Sequence, residues 1–230
     1  GSTVKVAANE DGTYSFEMPE GDVTITATFV CDGGALCPTD KFTDIDQAQW
    51  YHFAIDWVVE NGVMKGIGGT TLFAPDDDLL REQAATVMWN IMAEGDLEAP
   101  AAALSDVAQG EWYAPYVNWA VEAAVMEGHG GTDRFGVGEA LTREQFAAVV
   151  AKATKADVSA ADVTALEGFT DSESVSEWAQ ATMAWAVEAG VINGVALSDG
   201  TLELQGSREI TRAEMAMMIK NAVDEGVLEL

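Results

Sequence analysis

The sequence predicts a mainly α-helical protein built from three copies of a helix-loop-helix unit, with a small N-terminal β-meander ahead of them. Three observations carry this prediction. A pattern repeats along the chain from Phe42 onward, apolar residues recur at helical spacing within each copy, and period-2 alternation is confined to residues 3–30. The repeat is plain in the residues. Phe42-Thr43-Asp44-Ile45 returns as Leu104-Ser105-Asp106-Val107 and as Phe169-Thr170-Asp171-Ser172. Trp50, Trp112 and Trp178 follow, each with a second tryptophan seven positions on (Trp57, Trp119, Trp185). Then come Gly66, Gly128 and Gly194, and the blocks Leu80-Arg81-Glu82-Gln83, Thr142-Arg143-Glu144-Gln145 and Thr211-Arg212-Ala213-Glu214. Copies one and two are offset by 62 positions, both from Trp50 to Trp112 and from Arg81 to Arg143. Copy three lies 66 further at the tryptophans, Trp112 to Trp178, but 69 further at the arginines, Arg143 to Arg212, which places a longer loop at Ala196–Glu209.

Each copy reads as helix, Gly-rich loop, helix. Trp50, Phe53, Ala54, Trp57 and Val58 fall on one face of an amphipathic helix that ends near Asn61-Gly62. Pro115 sits in the first turn of the second copy, where proline is tolerated, and Ala124 stands where the other copies have Gly62 and Gly190, so that helix end is expected to be built differently. The second helices start near Leu80, Thr142 and Thr211, with stripes such as Phe146, Val149, Val150 and Met215, Met218, Ile219. A connector at 155–168 is expected to hold one short helix beginning at Ser159. In residues 3–30, Val23, Ile25, Ala27 and Phe29 alternate with threonines, and Tyr14, Phe16 and Met18 alternate with Ser15 and Glu17, around turns at 9–12 and 19–22. The expected organisation is therefore strands at 3–30, a linker at 31–41, repeats at 42–95, 104–154 and 169–225, and the connector between the last two.

Charge narrows the function. Eleven Lys and Arg against 39 Asp and Glu give a net charge of -28, which sets the chain against nucleic acid and anionic lipid. An anionic ligand has to be met by a few cations gathered in one place. No run of about 18 apolar residues marks a membrane span. Gly1-Ser2 reads as a cloning scar, so the chain is expected to be an excised C-terminal fragment of an exported protein whose targeting sequence lay upstream. Cys31 and Cys37 bracket a short Gly-containing segment that can close as a disulfide. A metal site would need further Cys or His close by, and the nearest histidine is His52, so the disulfide is the expected state and no metal or other cofactor is expected.

The Thr-Arg-x-Glu/Gln block has two readings that stay open on the residues alone. Thr142 with Gln145 and Thr211 with Glu214 have capping-box spacing, which accounts for Thr and Glu/Gln. It does not account for arginine. A cation in the first turn opposes the helix dipole, yet three of the five arginines hold this one position. Each either pairs with a local Asp (Asp44, Asp106, Asp171) or offers a fork, beside helix-start N–H groups, to a ligand carboxylate or phosphate. The paired tryptophans suit core packing better than sugar stacking, because seven-residue spacing puts both on one helical face. Gly66, Gly128 and Gly194 suit turns of positive φ, with close approach to a ligand as the second reading. His129 reads as an exposed loop residue, and Asp76-Asp77-Asp78 lacks the spacing of a calcium loop. No nucleophile elbow or His-Glu-x-x-His helix is present, and the chain is expected not to be an enzyme.

Phe42-Thr-Asp-Ile45, Trp50, Ala54-Ile55, Gly62-Val63, Gly66, Phe73-Ala-Pro75 and Ile210-Thr-Arg-Ala-Glu214 together resemble S-layer homology repeats, and the three copies span about residues 42–225. Leu80 in place of the family's Thr, Ala124 in place of Gly and the missing Phe-x-Pro in the third copy are departures. The resemblance implies a pseudo-threefold bundle with the first helices at its centre and grooves between neighbouring repeats. It further implies a non-catalytic, extracellular module at a Gram-positive cell wall, a monomer that binds an anionic, pyruvylated secondary cell-wall polysaccharide linked to peptidoglycan. The candidate glycan-binding residues are then Arg81, Arg143 and Arg212, with Asp44, Asp106, Asp171, Gly66, Gly128 and Gly194. A protein-interaction or surface-assembly role on the same fold is the alternative. Asp11-Gly-Thr-Tyr-Ser-Phe-Glu-Met-Pro19 through Ala27-Thr-Phe29 resembles the last strands of an internalin B-repeat-like domain.

Overall fold

A computed structural model describes residues 6–8, 14–16, 36–93, 97 and 99–230. The chain divides into two compact units, 1–30 and 31–230. In the first, β1 (Val6–Ala8) pairs antiparallel with β2 (Tyr14–Phe16) in the register Val6 to Phe16. The strand expected at 23–29 and the internalin-like resemblance that depends on it lie outside the described residues, as does Cys31.

The second unit is mainly helical. Its α-helices are α1 (His52–Glu60), α2 (Arg81–Met92), α3 (Ala114–Glu122), α4 (Arg143–Ala153), α5 (Gln180–Glu188) and α6 (Arg212–Asp224). The three even-numbered helices start one residue after Leu80, Thr142 and Thr211, where the capping chemistry sits. Thr142 and Thr211 accept a hydrogen bond from the N–H of Gln145 and Glu214, and those side chains accept from the threonine N–H in return. Leu80 has no hydroxyl, and only the return bond to Gln83 is made. In the connector, two 3-10 turns at Val158–Ala160 and Val163–Gly168, each begun by an aspartate (Asp157, Asp162), take the place of one helix begun at Ser159. The longer loop of the third repeat folds as a hairpin of β3 (Val195–Ala196) and β4 (Leu202–Glu203).

Ala124 adopts φ 55°, close to the 72° and 70° of Gly62 and Gly190. The second first-helix thus ends like the others, contrary to expectation, and carries the left-handed strain that glycine avoids.

Tertiary contacts link the repeats in a cycle. Helix α2 packs on α3, α4 on α5, and α6 on α1. The residues just ahead of the second helices close a matching ring of backbone hydrogen bonds. Leu79 N–H donates to Ile210, Ile210 N–H to Leu141, and Leu141 N–H to Leu79, at 2.8, 2.8 and 2.9 Å. All three side chains are fully buried, and burying each contributes about 1.5–3 kcal/mol. Around them one continuous core takes in Ala54, Ile55, Val58, Met88, Phe146, Met183 and Met215. No helix among the described residues is long and apolar enough to cross a membrane.

Candidate functional site

Three grooves among the described residues each draw on all three repeats. One is lined by Lys65, Gly66, Gln83 and Asn90 of repeat 1, Trp112 and Tyr116 of repeat 2 and Arg212 of repeat 3, with a volume of about 550 Å³. The next, about 490 Å³, brings Glu127, Gly128, Gln145 and Lys152 of repeat 2 to Arg81 and Trp178. The last, about 740 Å³, brings Gly194, Glu214 and Asn221 of repeat 3 to Arg143 and Trp50.

The three arginines are buried and tie each second helix to the loop of the following repeat. Arg81 donates from Nε to Phe135 O (2.7 Å) and from Nη2 to Glu127 O (2.6 Å). Arg212 donates from Nε to Phe73 O (2.9 Å) and from Nη2 to Lys65 O (3.0 Å). Their guanidinium carbons stand 5.0 Å and 4.9 Å from the ring centres of Phe135 and Phe73, a cation–π arrangement. Arg143 donates from Nε to Leu204 O (2.9 Å), and its Nη1 meets Glu214 Oε1 at 3.2 Å. Glu214 also binds Arg208. Burial lowers the pKa of all three arginines from its ordinary value, partly offset by nearby carboxylates. For Glu214, burial works to raise the pKa, but the Arg208 hydrogen bond, the Thr211 N–H and the two arginine charges outweigh it and hold the carboxyl below its ordinary range.

The aspartates do a different job from the one weighed in the sequence. Asp44 accepts from the N–H groups of Phe73 and Ala74, Asp106 from Phe135, Gly136 and Val137, and Asp171 from Leu204 and Gln205. Each one clamps the loop whose carbonyl the arginine reads, so Asp and Arg hold the same loop; their charges act on each other from beyond ion-pair distance. The glycines also answer to packing. A Cβ on Gly66 would stand 2.3 Å from the Phe42 ring and 2.6 Å from Leu72 O, and one on Gly128 would stand 2.5 Å from Arg134 O. Of the three, only Gly194 has positive φ (78°), so close approach of a facing loop carbonyl (Leu72 O, Arg134 O), joined at Gly66 by the Phe42 ring, rather than turn conformation, requires glycine at 66 and 128.

The leading tryptophans correct the sequence reading. Trp50, Trp112 and Trp178 are 53%, 57% and 57% exposed, whereas Trp57, Trp119 and Trp185 pack against the core. The helical-face argument fails because α1, α3 and α5 begin after the first tryptophan of each pair, at His52, Ala114 and Gln180. The repeat pattern points to the arginines but not to Gln83, Gln145 and Glu214 as groove residues; the difference in charge at that repeated position is the signal for them. His129 is half exposed and meets Glu139 at 2.8 Å.

Grooves shared between repeats, each with an exposed indole beside a buried cation, define a repeat-built binding module. The family model for the S-layer homology domain matches residues 41–85, 103–147 and 168–216, and the chain belongs to that family. It is 28% identical to S-layer protein sap of Bacillus anthracis over 202 residues, 85% of this chain and 23% of that protein. It is 30% identical to the surface-layer 125 kDa protein of Lysinibacillus sphaericus over 168 residues, 71% of this chain and 12% of that protein. An amylopullulanase of Thermoanaerobacterium thermosulfurigenes is 26% identical over 211 residues, 91% of this chain but 11% of the enzyme. The chain thus corresponds to a minor part of much longer proteins. With its family, it is a cell-wall-associated, extracellular protein, and its repeats are of the wall-anchoring kind.

Proposed function

We propose that the chain is a non-catalytic anchor, with pseudo-threefold related grooves, that binds an anionic secondary cell-wall polysaccharide linked to peptidoglycan. The ligand group is a carboxylate, as a pyruvate ketal would supply. One observation carries this reading. In a chain of net charge -28, Arg81 and Arg212 are buried in grooves beside exposed tryptophans, and both give their Nε and Nη2 donors to loop carbonyls. The guanidinium keeps its charge, and its Nη1 meets no carboxylate: Arg212 Nη1 donates only a long bond, 3.5 Å, to the neutral Gln83 Oε1, which a ligand carboxylate can replace, while the indole offers an apolar face to a sugar ring. Gly66 and Gly128 line two of the grooves and let the loops around them pack closely. Asp44, Asp106 and Asp171 act on the ligand only through the loops they clamp.

Co-sedimentation with Gram-positive wall sacculi tests this reading. Binding to walls that carry their polymer, and loss on walls stripped of it by acid, is the expected result. Equal binding to both would point instead to a protein partner for the acidic surface. Arg81→Ala and Arg212→Ala together should abolish polymer-dependent binding while the far-UV spectrum stays helical; full binding by that double variant would end the groove model.

A further inference from the structure

Outside the grooves, the segment ahead of the first repeat places three unlike donors together. Cys37 Sγ lies 3.3 Å from His52 Nε2 and 3.2 Å from Asp56 Oδ1, and His52 Nε2 lies 3.3 Å from Asp56 Oδ2. All three residues are buried, between 4% and 8% exposed. His52 and Asp56 sit one turn apart on α1, so the helix presents both on one face, and Cys37 reaches them from the preceding loop. We propose that Cys37, His52 and Asp56 form a binding site for a borderline divalent cation of the zinc type.

The donor set and its dimensions favour that class. Thiolate, imidazole and carboxylate are zinc ligands, with bonds of about 2.3, 2.0 and 2.0–2.2 Å; a tetrahedral ion with those bonds spaces its donors about 3.3–3.6 Å apart. The Cys37–His52 and Cys37–Asp56 Oδ1 separations match that edge length to within a few tenths of an ångström, His52 meets the other carboxylate oxygen, Oδ2, and one donor atom from each residue lies within 4.8 Å of the other two. Thr39 supplies the outer support that metal carboxylates usually have, donating from Oγ1 to Asp56 Oδ1 at 2.7 Å. Calcium or magnesium would want more oxygen donors and no sulfur. Three protein ligands leave the fourth position to water or a further side chain. The bound ion would fasten residues 37–39 to the first helix of the first repeat, a role separate from glycan binding. Oxidation of Cys37 with Cys31 would remove the thiolate and is the competing fate of the same sulfur.

The test is Co²⁺ titration of the metal-stripped, reduced chain. One equivalent should bring up a thiolate-to-cobalt charge-transfer band with tetrahedral ligand-field bands, and Zn²⁺ should displace both. Cys37→Ser should remove the charge-transfer band. Asp56→Asn, which keeps shape and removes the anionic ligand, should weaken binding at least tenfold, and Thr39→Val by about tenfold. The site is overturned if no charge-transfer band appears, if the Asp56→Asn variant binds as tightly as the parent, or if chain isolated without reductant holds Cys37 only as a disulfide and retains no metal.

Discussion

At Arg81 and Arg212 the guanidinium lies over a phenylalanine ring, and the neighbouring helix residue facing the groove is a glutamine (Gln145 and Gln83). At Arg143 the third repeat supplies Leu204 in place of the ring and Glu214 in place of the amide, so Nη1 is paired with a carboxylate at 3.2 Å, whereas Arg212 Nη1 makes only a 3.5 Å bond to the neutral Gln83. The backbone plan is the same, but the charge offered to a ligand is not. A carboxylate arriving at Arg143 meets one already there; at about 4 Å and an effective dielectric near 20, two such charges repel by about 4 kcal/mol, which Arg208, sharing Glu214, offsets in part. Equivalent positions in a repeat protein therefore do not make equivalent sites. We expect two competent grooves and one closed by its own counter-ion.

The sharpest way to break this comparison is to move the charge. Gln83→Glu with Gln145→Glu should abolish binding of polymer fragments in calorimetry, and Glu214→Gln should raise the stoichiometry from two sites to three. An unchanged site count in Glu214→Gln would remove the electrostatic argument. Arg81→Ala and Arg212→Ala should each cost their groove about 1.5–3 kcal/mol, the size of a charge-assisted hydrogen bond, whereas Arg143→Ala should leave binding within about 0.5 kcal/mol. Thermal melts should accompany these, because each arginine also holds a loop carbonyl. Trp112→Ala and Trp178→Ala should weaken binding by about 1 kcal/mol through lost apolar contact, with Trp50→Ala neutral and no change in melting temperature for any of them.

Acid should act on the same contrast. The folded pKa of Glu214 is depressed, so its contribution to stability is full above its ordinary 4.5 and is lost as pH falls through the lower folded value. Asp106 behaves alike: burial works to raise its pKa, and the N–H groups of Phe135, Gly136 and Val137 more than reverse that. Denaturant unfolding should therefore show stability falling below about pH 4.5, and less steeply in Glu214→Gln. The smallest expected effect is Ala124→Gly, which should stabilise by about 0.5–1 kcal/mol in the same assay by relieving left-handed alanine.

Much of this was legible in the chain itself. A constant offset between copies, apolar spacing and the Thr-x-x-Gln/Glu caps located the helices, because helix starts are decided by side chains within a few residues. The arginines stood out because they oppose the helix dipole. What the sequence could not decide were contacts made across the repeat cycle. That Trp50 faces a groove and Trp57 the core depends on where α1 begins. That Arg143 meets Glu214 depends on the third repeat closing on the second. That Cys37 meets His52 and Asp56 depends on a loop folding back 15 residues. Local patterns fix periodicity and caps; which partner a polar side chain finds is settled only when distant segments are packed, since the cost of leaving it unpaired in the interior is charged to the whole fold.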